Sequence, residues 1–350
     1  MKQQYFKSDS GNLKEFAGKL GSPDLIVMIS EKDLFRTHVS ELEAMYPGVP
    51  SIGTTGHFYG KTLKEGGVAL TAFYGAKVKT GVLRSVSTMP VRDIGTLQSH
   101  VREIAPGAND TACIDLCTGN DAAVLTTMYS ILGKNHICLT GGTAFDGMVS
   151  CCGQVYEDAD AYALLKNTSG KIRSYKENIY RPREDLRLIA SKTDRANYYV
   201  GELNGIPAKK LYMDTLGISE SEIATQTFKN PFGKITGRDV CIISLKEVKG
   251  NGLCCYRQVN DSDVLTILDL QDIPSIVDET LRSISRDFSR IGGIFSVNCA
   301  FRYLLFTQEG FMTSYLKQMS GLGCHCGFVG NGEHSDAQFV NQSMSCIVFD

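Results

Sequence analysis

The sequence has no excess of basic residues. Its 350 residues include 36 lysines and arginines against 38 aspartates and glutamates, a formal net charge of −2 at pH 7. A protein that binds nucleic acid usually carries a field of basic side chains that neutralise phosphates. No sustained lysine- or arginine-rich block is present, so we expect no nucleic-acid partner.

The sequence also lacks an export signal and a membrane segment. Residues 1–10 are polar and have no apolar core, and no later run reaches the roughly eighteen apolar residues of a spanning helix. We therefore expect a cytoplasmic protein without membrane insertion. In that compartment the twelve cysteines are expected to be reduced thiols, and Cys113, Cys241 and Cys346 lie in apolar strands.

Common catalytic motifs are missing too. The chain has no nucleophile elbow, no P-loop, no zincin motif and no paired CxxC knuckles. We predict no catalytic residues. An enzyme with a cysteine nucleophile and a histidine base stays open, because those groups must meet in space and spacing alone does not show that.

A glycine-rich pattern occurs twice in what the sequence does contain. Residues 321–350 form a glycine-punctuated strand, a polar turn and a second strand, and residues 141–165 repeat this order. We interpret each stretch as a hairpin. Each follows a strand and a helix, predicted at residues 112–117 and 121–132 for the first copy and at 292–299 and 303–319 for the second.

The repeated order predicts an internal duplication. We expect an α+β protein of two related halves, each a mixed, largely antiparallel β-sheet packed with helices. At about 150 residues per domain the length suggests two domains. The polar passage at residues 181–197 is the expected boundary, which divides the chain into residues 1–197 and 198–350.

Other elements are predicted from apolar patterning and end signals. Residues 24–30 are a short apolar run, typical of a strand buried on both faces. Residues 66–83 alternate as one long strand or a hairpin broken at Gly75. Further helices are predicted at residues 34–46, 93–104, 207–217 and 272–288.

Short motifs along nearly the whole chain resemble the FIST-domain family, and they occur in the family's order. The stretches are residues 52–57 (IGTTGH), 141–147 (GGTAFDG), 202–212 (ELNGIPAKKLY), 295–302 (FSVNCAFR), 327–333 (GFVGNGE) and 339–343 (FVNQS). The sequence departs from the family's pattern at His57, Asn204, Asn341 and Ser343. These departures suggest a ligand different from that of typical relatives.

The resemblance implies a bacterial sensory module that binds a small molecule such as an amino acid. Partners implied for the family are a histidine kinase, a chemoreceptor or a cyclic-di-nucleotide enzyme, and we expect the output to act on a separate partner. The motifs nominate twelve ligand-binding residues: Gly53, Thr54, Thr55, His57, Gly142, Thr143, Asp146, Asn298, Arg302, Gly330, Asn331 and Glu333.

The two charged groups of an amino-acid-like ligand would bind different members of this set. Backbone amides at Gly142, Gly330 and Gly332 and the guanidinium of Arg302 would hold its carboxylate. Asp146 or Glu333 would receive its ammonium group. The alternative is that Arg302 and Glu333 form a structural pair.

Two hypotheses about a cofactor stay open. Cys324 and Cys326 would share one face of a strand and, with His334 nearby, are weak candidates for a metal site; core thiols are the alternative. Some family members resemble haem proteins that sense nitric oxide, and His57, His325 and His334 lie in glycine-rich segments. We expect no cofactor, with haem as the alternative.

Overall fold

The protein comprises two compact units. A computed structural model describes residues 1–236 and 239–350. Unit 1 contains residues 1–177, 277–339 and 343–350, and unit 2 contains residues 178–276 and 340–342. Both units pair strands into sheets and pack helices on them, which confirms the predicted α+β class with two halves.

The helices of the described residues are α1 Phe35–Met45, α2 Ile94–Ile104, α3 Asp121–Leu132, α4 Ala208–Leu216, α5 Ile273–Asp287, α6 Ala300–Gln308 and α7 Met312–Leu322, with 3-10 turns at Leu13–Phe16, Gly133–Asn135, Glu220–Glu222 and Ala224–Phe228. The first strands are β1 Lys2–Ser8, β2 Leu25–Ser30, β3 Ser51–Thr55, β4 His57–Tyr59, β5 Leu63–Lys64, β6 Val68–Tyr74, β7 Ala76–Arg84, β8 Thr111–Cys117, β9 Cys138–Thr143, β10 Val149–Cys151, β11 Gln154–Tyr156, β12 Ala159–Asn167 and β13 Ile172–Asn178. The later strands are β14 Tyr180–Pro182, β15 Leu188–Asp194, β16 Tyr199–Leu203, β17 Ile206–Pro207, β18 Phe232–Thr236, β19 Asp239–Ile243, β20 Leu245–Lys249, β21 Gly252–Cys255, β22 Val264–Leu270, β23 Gly293–Cys299, β24 His325–Gly330, β25 Glu333–Ser335, β26 Gln338–Val340 and β27 Ser343–Phe349.

Unit 1 is built from three six-stranded sheets with one common strand order. The orders are β1-β6-β2-β3-β10-β11, β7-β12-β8-β9-β25-β26 and β13-β27-β23-β24-β4-β5. The third and fourth strands of each sheet run parallel. Parallel neighbours need a crossover, and α1, α3 and the α6–α7 pair supply it. The strand–helix–strand order predicted at two places therefore occurs at a third, formed by β2, α1 and β3.

The central strands are buried on both faces. In β2, Leu25, Val27 and Ile29 join a core shared by all three sheets. The alternate residues Ile26 and Met28 pack in a second cluster with side chains of α1. This alternation explains why the run at residues 24–30 is almost wholly apolar, and the predicted two-sided burial is confirmed.

The three copies exchange strands. After β3 the chain adds β4 beside β24 of the third sheet, after β9 it adds β10 beside β3 of the first, and after β24 it adds β25 beside β9 of the second. Each parallel pair is thereby completed by a small hairpin from another copy. The ends of β3, β9 and β24 are drawn together as a result.

The predicted hairpins at residues 141–165 and 321–350 are wrong. β9 and β12 both pair with β8, on its two opposite sides, and β24 and β27 pair with β23 in the same way. The prediction of one helix at residues 303–319 is also wrong. The chain forms two helices there, α6 and α7, and Gly310 between them adopts a positive φ of 66°. The alternating run at residues 66–83 is neither one strand nor a hairpin, because β6 and β7 lie in different sheets.

Unit 2 contains a nine-stranded sheet with the order β19-β18-β22-β15-β16-β21-β20, to which β14 adds beside β22 and β17 beside β16. Helix α4 packs on it through Ala208 and Tyr212, and Gly217 ends that helix in the left-handed conformation. The polar passage at residues 181–197 contributes strand β15 to this sheet. The division at residues 197 and 198 stays a prediction about the sequence domains. Among the described residues, no helix combines the length and apolar character needed to cross a bilayer.

Candidate functional site

The carboxyl ends of the three parallel strand pairs meet through backbone hydrogen bonds. The amide of Phe145, just after β9, donates to the carbonyl of Thr55 at the end of β3 (3.1 Å). The amide of Asn331, just after β24, donates to the carbonyl of Thr143 at the end of β9 (3.0 Å). Ligands of α/β sheets commonly bind outside the carboxyl ends of parallel strands. This junction is therefore the candidate site.

Six side chains lie at this junction, and we call them the strand-end surface: Lys32, His57, Phe145, Asp146, Tyr303 and Asn331. The His57 ring lies 4.8 Å from the Phe145 ring and 6.0 Å from the Tyr303 ring, centroid to centroid. The side-chain amide of Asn331 donates to the carbonyl of Phe145 (3.0 Å). The surface thus combines an aromatic face with exposed polar groups.

One positive and one negative charge lie side by side on the strand-end surface. The Lys32 ammonium and an Asp146 carboxylate oxygen are 3.7 Å apart, with side chains 62% and 32% exposed. An ion pair this long and this exposed contributes little to stability. Both groups therefore remain available to a ligand that carries the two opposite charges.

The twelve predicted ligand-binding residues separate by burial. His57 is half-buried, whereas Asp146 and Asn331 are exposed on the strand-end surface. The other nine are buried, Arg302 on helix α6 and the rest in strands: Gly53, Thr54, Thr55, Gly142, Thr143, Asn298, Arg302, Gly330 and Glu333. Thr55 supports the surface from beneath, because its hydroxyl oxygen accepts a hydrogen bond from the Asp146 amide (3.1 Å).

Several of the glycines serve close packing of strands. A Cβ on Gly141 would lie 1.9 Å from a carboxylate oxygen of Asp115, and one on Gly142 would lie 2.6 Å from the carbonyl oxygen of Gly332. Since real Cβ atoms do not approach other atoms so closely, only glycine fits both places. The glycine pair at the end of β9 therefore has a structural cause that is independent of any ligand.

Below the strand-end surface lies a buried cluster of charged groups around His334. Its ring nitrogens face Asp115 (Nδ1 to Oδ2, 2.5 Å) and Asp121 (Nε2 to Oδ1, 2.9 Å). Burial alone would lower the pKa of His334, but the two carboxylates outweigh it and raise this pKa well above its usual range. Burial beside Asp115 raises the pKa of Asp160.

Arg302 does not reach the strand-end surface. It is fully buried on α6, where its guanidinium pairs with Glu177 and lies 3.9 Å over the Phe306 ring. Among the described residues, the carboxylate that pairs with Arg302 is that of Glu177 rather than that of Glu333. Asn298 is also occupied, since its amide donates to the hydroxyl of Tyr59 (2.7 Å).

Glu333 is buried away from solvent as well. One carboxyl oxygen accepts hydrogen bonds from the amide (2.6 Å) and the hydroxyl of Ser343. Burial raises the pKa of Glu333 to about 8, so the group is largely uncharged at pH 7. Of the two acidic residues predicted to receive an ammonium group, Asp146 alone offers an exposed carboxylate.

The weak metal candidates do not come together. The Cys326 thiol lies against Gln3 and Thr71, whereas His334 is held between two aspartates. Within residues 1–236 and 239–350, no group of three or more histidine, cysteine or acidic side chains is arranged to hold a metal ion. The hypothesis of a metal site therefore gains no support from the described residues.

Haem binding stays an alternative prediction, and the three nominated histidines fit it unequally. Both ring nitrogens of His334 face carboxylates, and Nε2 of His325 lies 2.8 Å from the Ser296 hydroxyl. His57 has Nδ1 3.1 Å from the carbonyl of Glu65 and its ring half-exposed, so its Nε2 is the nitrogen best placed for an axial ligand.

Lys32, Phe145 and Tyr303 were missed from the sequence. Lys32 comes two residues after β2, Phe145 two residues after β9, and Tyr303 early in the helix after β23. All three residues follow a strand of a parallel pair. Sequence analysis could have identified them by this position, but only if all three copies of the repeat had been recognised.

Unit 1 with its joined strand ends and unit 2 with its nine-stranded sheet define a two-unit α+β protein. The chain belongs to the FIST family, because the FIST N domain model matches residues 24–206 and the FIST C domain model matches residues 208–336. FIST domains are sensory domains of signal transduction that bind small ligands.

Comparisons beyond the family models add little. No curated protein matches the chain. A solved structure of cyanuric acid hydrolase, described in terms of evolutionary innovation by structural concatenation, is 10% identical with a TM-score of 0.34, over 99% of this chain and 98% of that chain. A likeness at this TM-score carries no argument about function.

Proposed function

We propose that this protein is a cytoplasmic sensor of an amino-acid-like ligand, which binds at the strand-end surface and is reported by contact to a separate partner. The observation that carries the proposal is the opposed pair of Lys32 and Asp146 beside the aromatic face of His57 and Phe145. The pair matches the two charges of a zwitterion, and the rings offer an apolar surface to its side chain.

The proposal assigns the carboxylate partner differently from the sequence prediction. Lys32 takes the role predicted for Arg302, because the Arg302 charge is buried against Glu177 whereas Lys32 is exposed next to Asp146. Asp146 keeps its predicted role as the partner of the ammonium group. Asn331 lies in the same surface and offers a neutral amide.

Isothermal titration calorimetry with a panel of amino acids tests this proposal. Lys32→Ala and Asp146→Asn should each weaken the best-binding amino acid by about 10- to 100-fold, since each removes a hydrogen bond between charged groups. Lys19→Ala, on an exposed lysine outside the surface, is the matched control and should leave the affinity unchanged.

Ligand analogues identify which charge each residue meets. The amine that lacks the carboxylate should bind wild type weakly and lose nothing further in Lys32→Ala. The N-acetylated amino acid should behave in the same way with Asp146→Asn. The proposal fails if no amino acid binds, or if both variants bind the best ligand as tightly as wild type does.

An absorbance spectrum of the same preparation addresses the haem alternative. A Soret band that disappears in His57→Ala would favour the haem-binding sensor and would contradict the amino-acid proposal. For the downstream partner, a histidine kinase, a chemoreceptor or a cyclic-di-nucleotide enzyme is proposed. Support for that partner class comes from the sensory role of FIST domains.

A further inference from the structure

A cavity opens at the end of β24 that is remote from the strand-end surface. It has a volume of about 370 Å³ and is lined by parts of β1, the turn after β4 and the segment that joins α7 to β24. The lining residues used below are Tyr5, Gly60, Lys61, Ser320, Cys324 and His325. β24 spans roughly 17 Å from His325 to Gly330, so this cavity is distinct from the strand-end surface.

Three polar atoms of the lining are buried without a partner. The Tyr5 hydroxyl, the Ser320 hydroxyl and Nδ1 of His325 have no hydrogen-bond partner among the described residues. His325 is only 3% exposed. An unpaired buried polar atom costs about 1–3 kcal/mol, and buried tyrosine hydroxyls usually find a partner. Three such atoms around one cavity indicate that something polar occupies it.

The hydrogen bonds behind His325 favour one tautomer of its ring. The Asn298 amide donates to the Tyr59 hydroxyl (2.7 Å), and that hydroxyl donates to the carbonyl of Ser296 (2.9 Å). The Ser296 hydroxyl lies 2.9 Å from the Tyr59 hydroxyl and 2.8 Å from Nε2 of His325, and we assign it as the donor to Nε2. This arrangement places the imidazole proton on Nδ1, which becomes a donor to the cavity.

The lining is neutral, and the charge at its mouth is positive. Burial lowers the pKa of His325 to about 3, so its ring is neutral, and burial raises the pKa of Tyr5, so its phenol keeps its proton. Lys7 at the rim pairs with Asp9, but Lys61 is exposed and no ion pair is seen for it within the described residues. Three neutral donors and one free cation favour an acceptor with negative charge.

Gly60 and Cys324 form another part of the cavity lining. A Cβ on Gly60 would lie 2.7 Å from the Tyr5 ring, so glycine at this position leaves room for that ring beside the turn after β4. Cys324 contributes a half-buried thiol whose pKa burial raises, so it remains an uncharged apolar contact. Gly60, Cys324 and the Tyr5 ring can therefore contact the apolar body of a ligand.

We propose that this cavity is a second ligand site, for a small monocarboxylic acid whose oxygen atoms accept hydrogen bonds from Tyr5, Ser320 and Nδ1 of His325, with Lys61 at the mouth. The proposal does not depend on the strand-end surface, because no lining residue belongs to that surface.

Benzoate and benzamide are suitable probes, since they share size and shape but differ in charge. Benzoate should bind the full-length protein at least about tenfold more tightly than benzamide. Ser320→Ala and His325→Gln should each weaken benzoate about tenfold or more, and Lys61→Ala by a smaller factor. Ser314→Ala, on an exposed serine of the same helix, is the control and should bind as wild type does.

Ser320→Ala and Lys61→Ala keep the test decisive if His325→Gln fails to fold, because the Ser320 hydroxyl has no partner within the described residues and the Lys61 side chain is exposed. Lys32→Ala should leave benzoate affinity unchanged, which separates this site from the strand-end surface. A crystal soaked with benzoate should show it in the cavity. Ordered water alone at the three atoms, or benzoate affinity that is the same in Ser320→Ala and wild type, would overturn the proposal.

Discussion

His334 shows how one residue can carry a charge inside a protein. Its imidazole is fully buried, yet both nitrogens face aspartates, and Thr143 donates a further hydrogen bond to Asp121 (2.6 Å). A buried ion pair is costly to break because it leaves an uncompensated charge. The cluster lies under the strand-end surface, since Thr143 is at the end of β9.

The raised pKa of His334 predicts a dependence of stability on pH. The unfolded histidine has a pKa of about 6.5, so the contribution of His334 is complete below that pH and is lost as pH rises towards the folded-state pKa. In that window this group alone should lower the free energy of unfolding by about 1.4 kcal/mol per pH unit. His334→Gln should remove this slope in urea titrations.

Nuclear magnetic resonance of the histidine ring nitrogens tests the protonation of His334 directly, with His325 as an internal control. At pH 7 His334 should carry two protons and His325 only one, because burial lowers the pKa of His325 to about 3. A pair of histidines that both titrate near pH 6.5 would contradict the assignment.

At the scale of elements, β9 illustrates how a glycine pair determines what a strand can accommodate. Asp115 on the neighbouring strand β8 occupies the space where a side chain of Gly141 would lie. The prediction that the Gly142 backbone binds a ligand came from the resemblance of residues 141–147 to a glycine-rich motif of the family. The structure gives Gly142 a packing role, and the groups that we propose to face the ligand begin two residues beyond the strand.

Gly141→Ala is predicted to destabilise the protein by about 1–3 kcal/mol, because the new methyl group must displace Asp115 from His334. Gly95→Ala is the matched control: Gly95 lies in α2 with no heavy atom within 4 Å of its added Cβ. The control should gain up to about 1 kcal/mol from helix propensity. Equal effects of the two changes on the urea midpoint would refute the packing argument.

At the scale of the whole molecule, each unit has a core of its own. The shared core of unit 1 draws on all three sheets and includes Ile347 of β27. The core of unit 2 includes Leu253 of β21 and the helix residue Tyr212. Because the three copies of unit 1 exchange strands, a defect in one of its sheets should affect all three.

Two core substitutions test this independence. Ile347→Asp and Leu253→Asp each place a charge at a fully buried position, which costs several kcal/mol. Limited proteolysis should cut unit 1 of Ile347→Asp while residues 178–276 resist, and it should cut residues 178–276 of Leu253→Asp while unit 1 resists. Cleavage that spreads equally through both units in either variant would show that the cores are not independent.

The sequence by itself determined the local elements and the family. The helix at residues 121–132 and the apolar strand at residues 24–30 were predicted closely, because apolar periodicity and end signals act over a few neighbouring residues. The ordered motifs identified the FIST family, and the polar residues His57, Asp146 and Asn331 were nominated from them.

Only the tertiary structure decided which strands pair and which groups meet. The sequence pattern favoured hairpins at residues 141–165, but β12 pairs with β8, because strand pairing depends on contacts far apart in the chain. The same long-range pairing brings Lys32 beside Asp146 and buries Arg302 against Glu177. The sequence determines the charge and the glycine content. The exposure of each side chain and its hydrogen-bond partners depend on which distant strands pack around a common core.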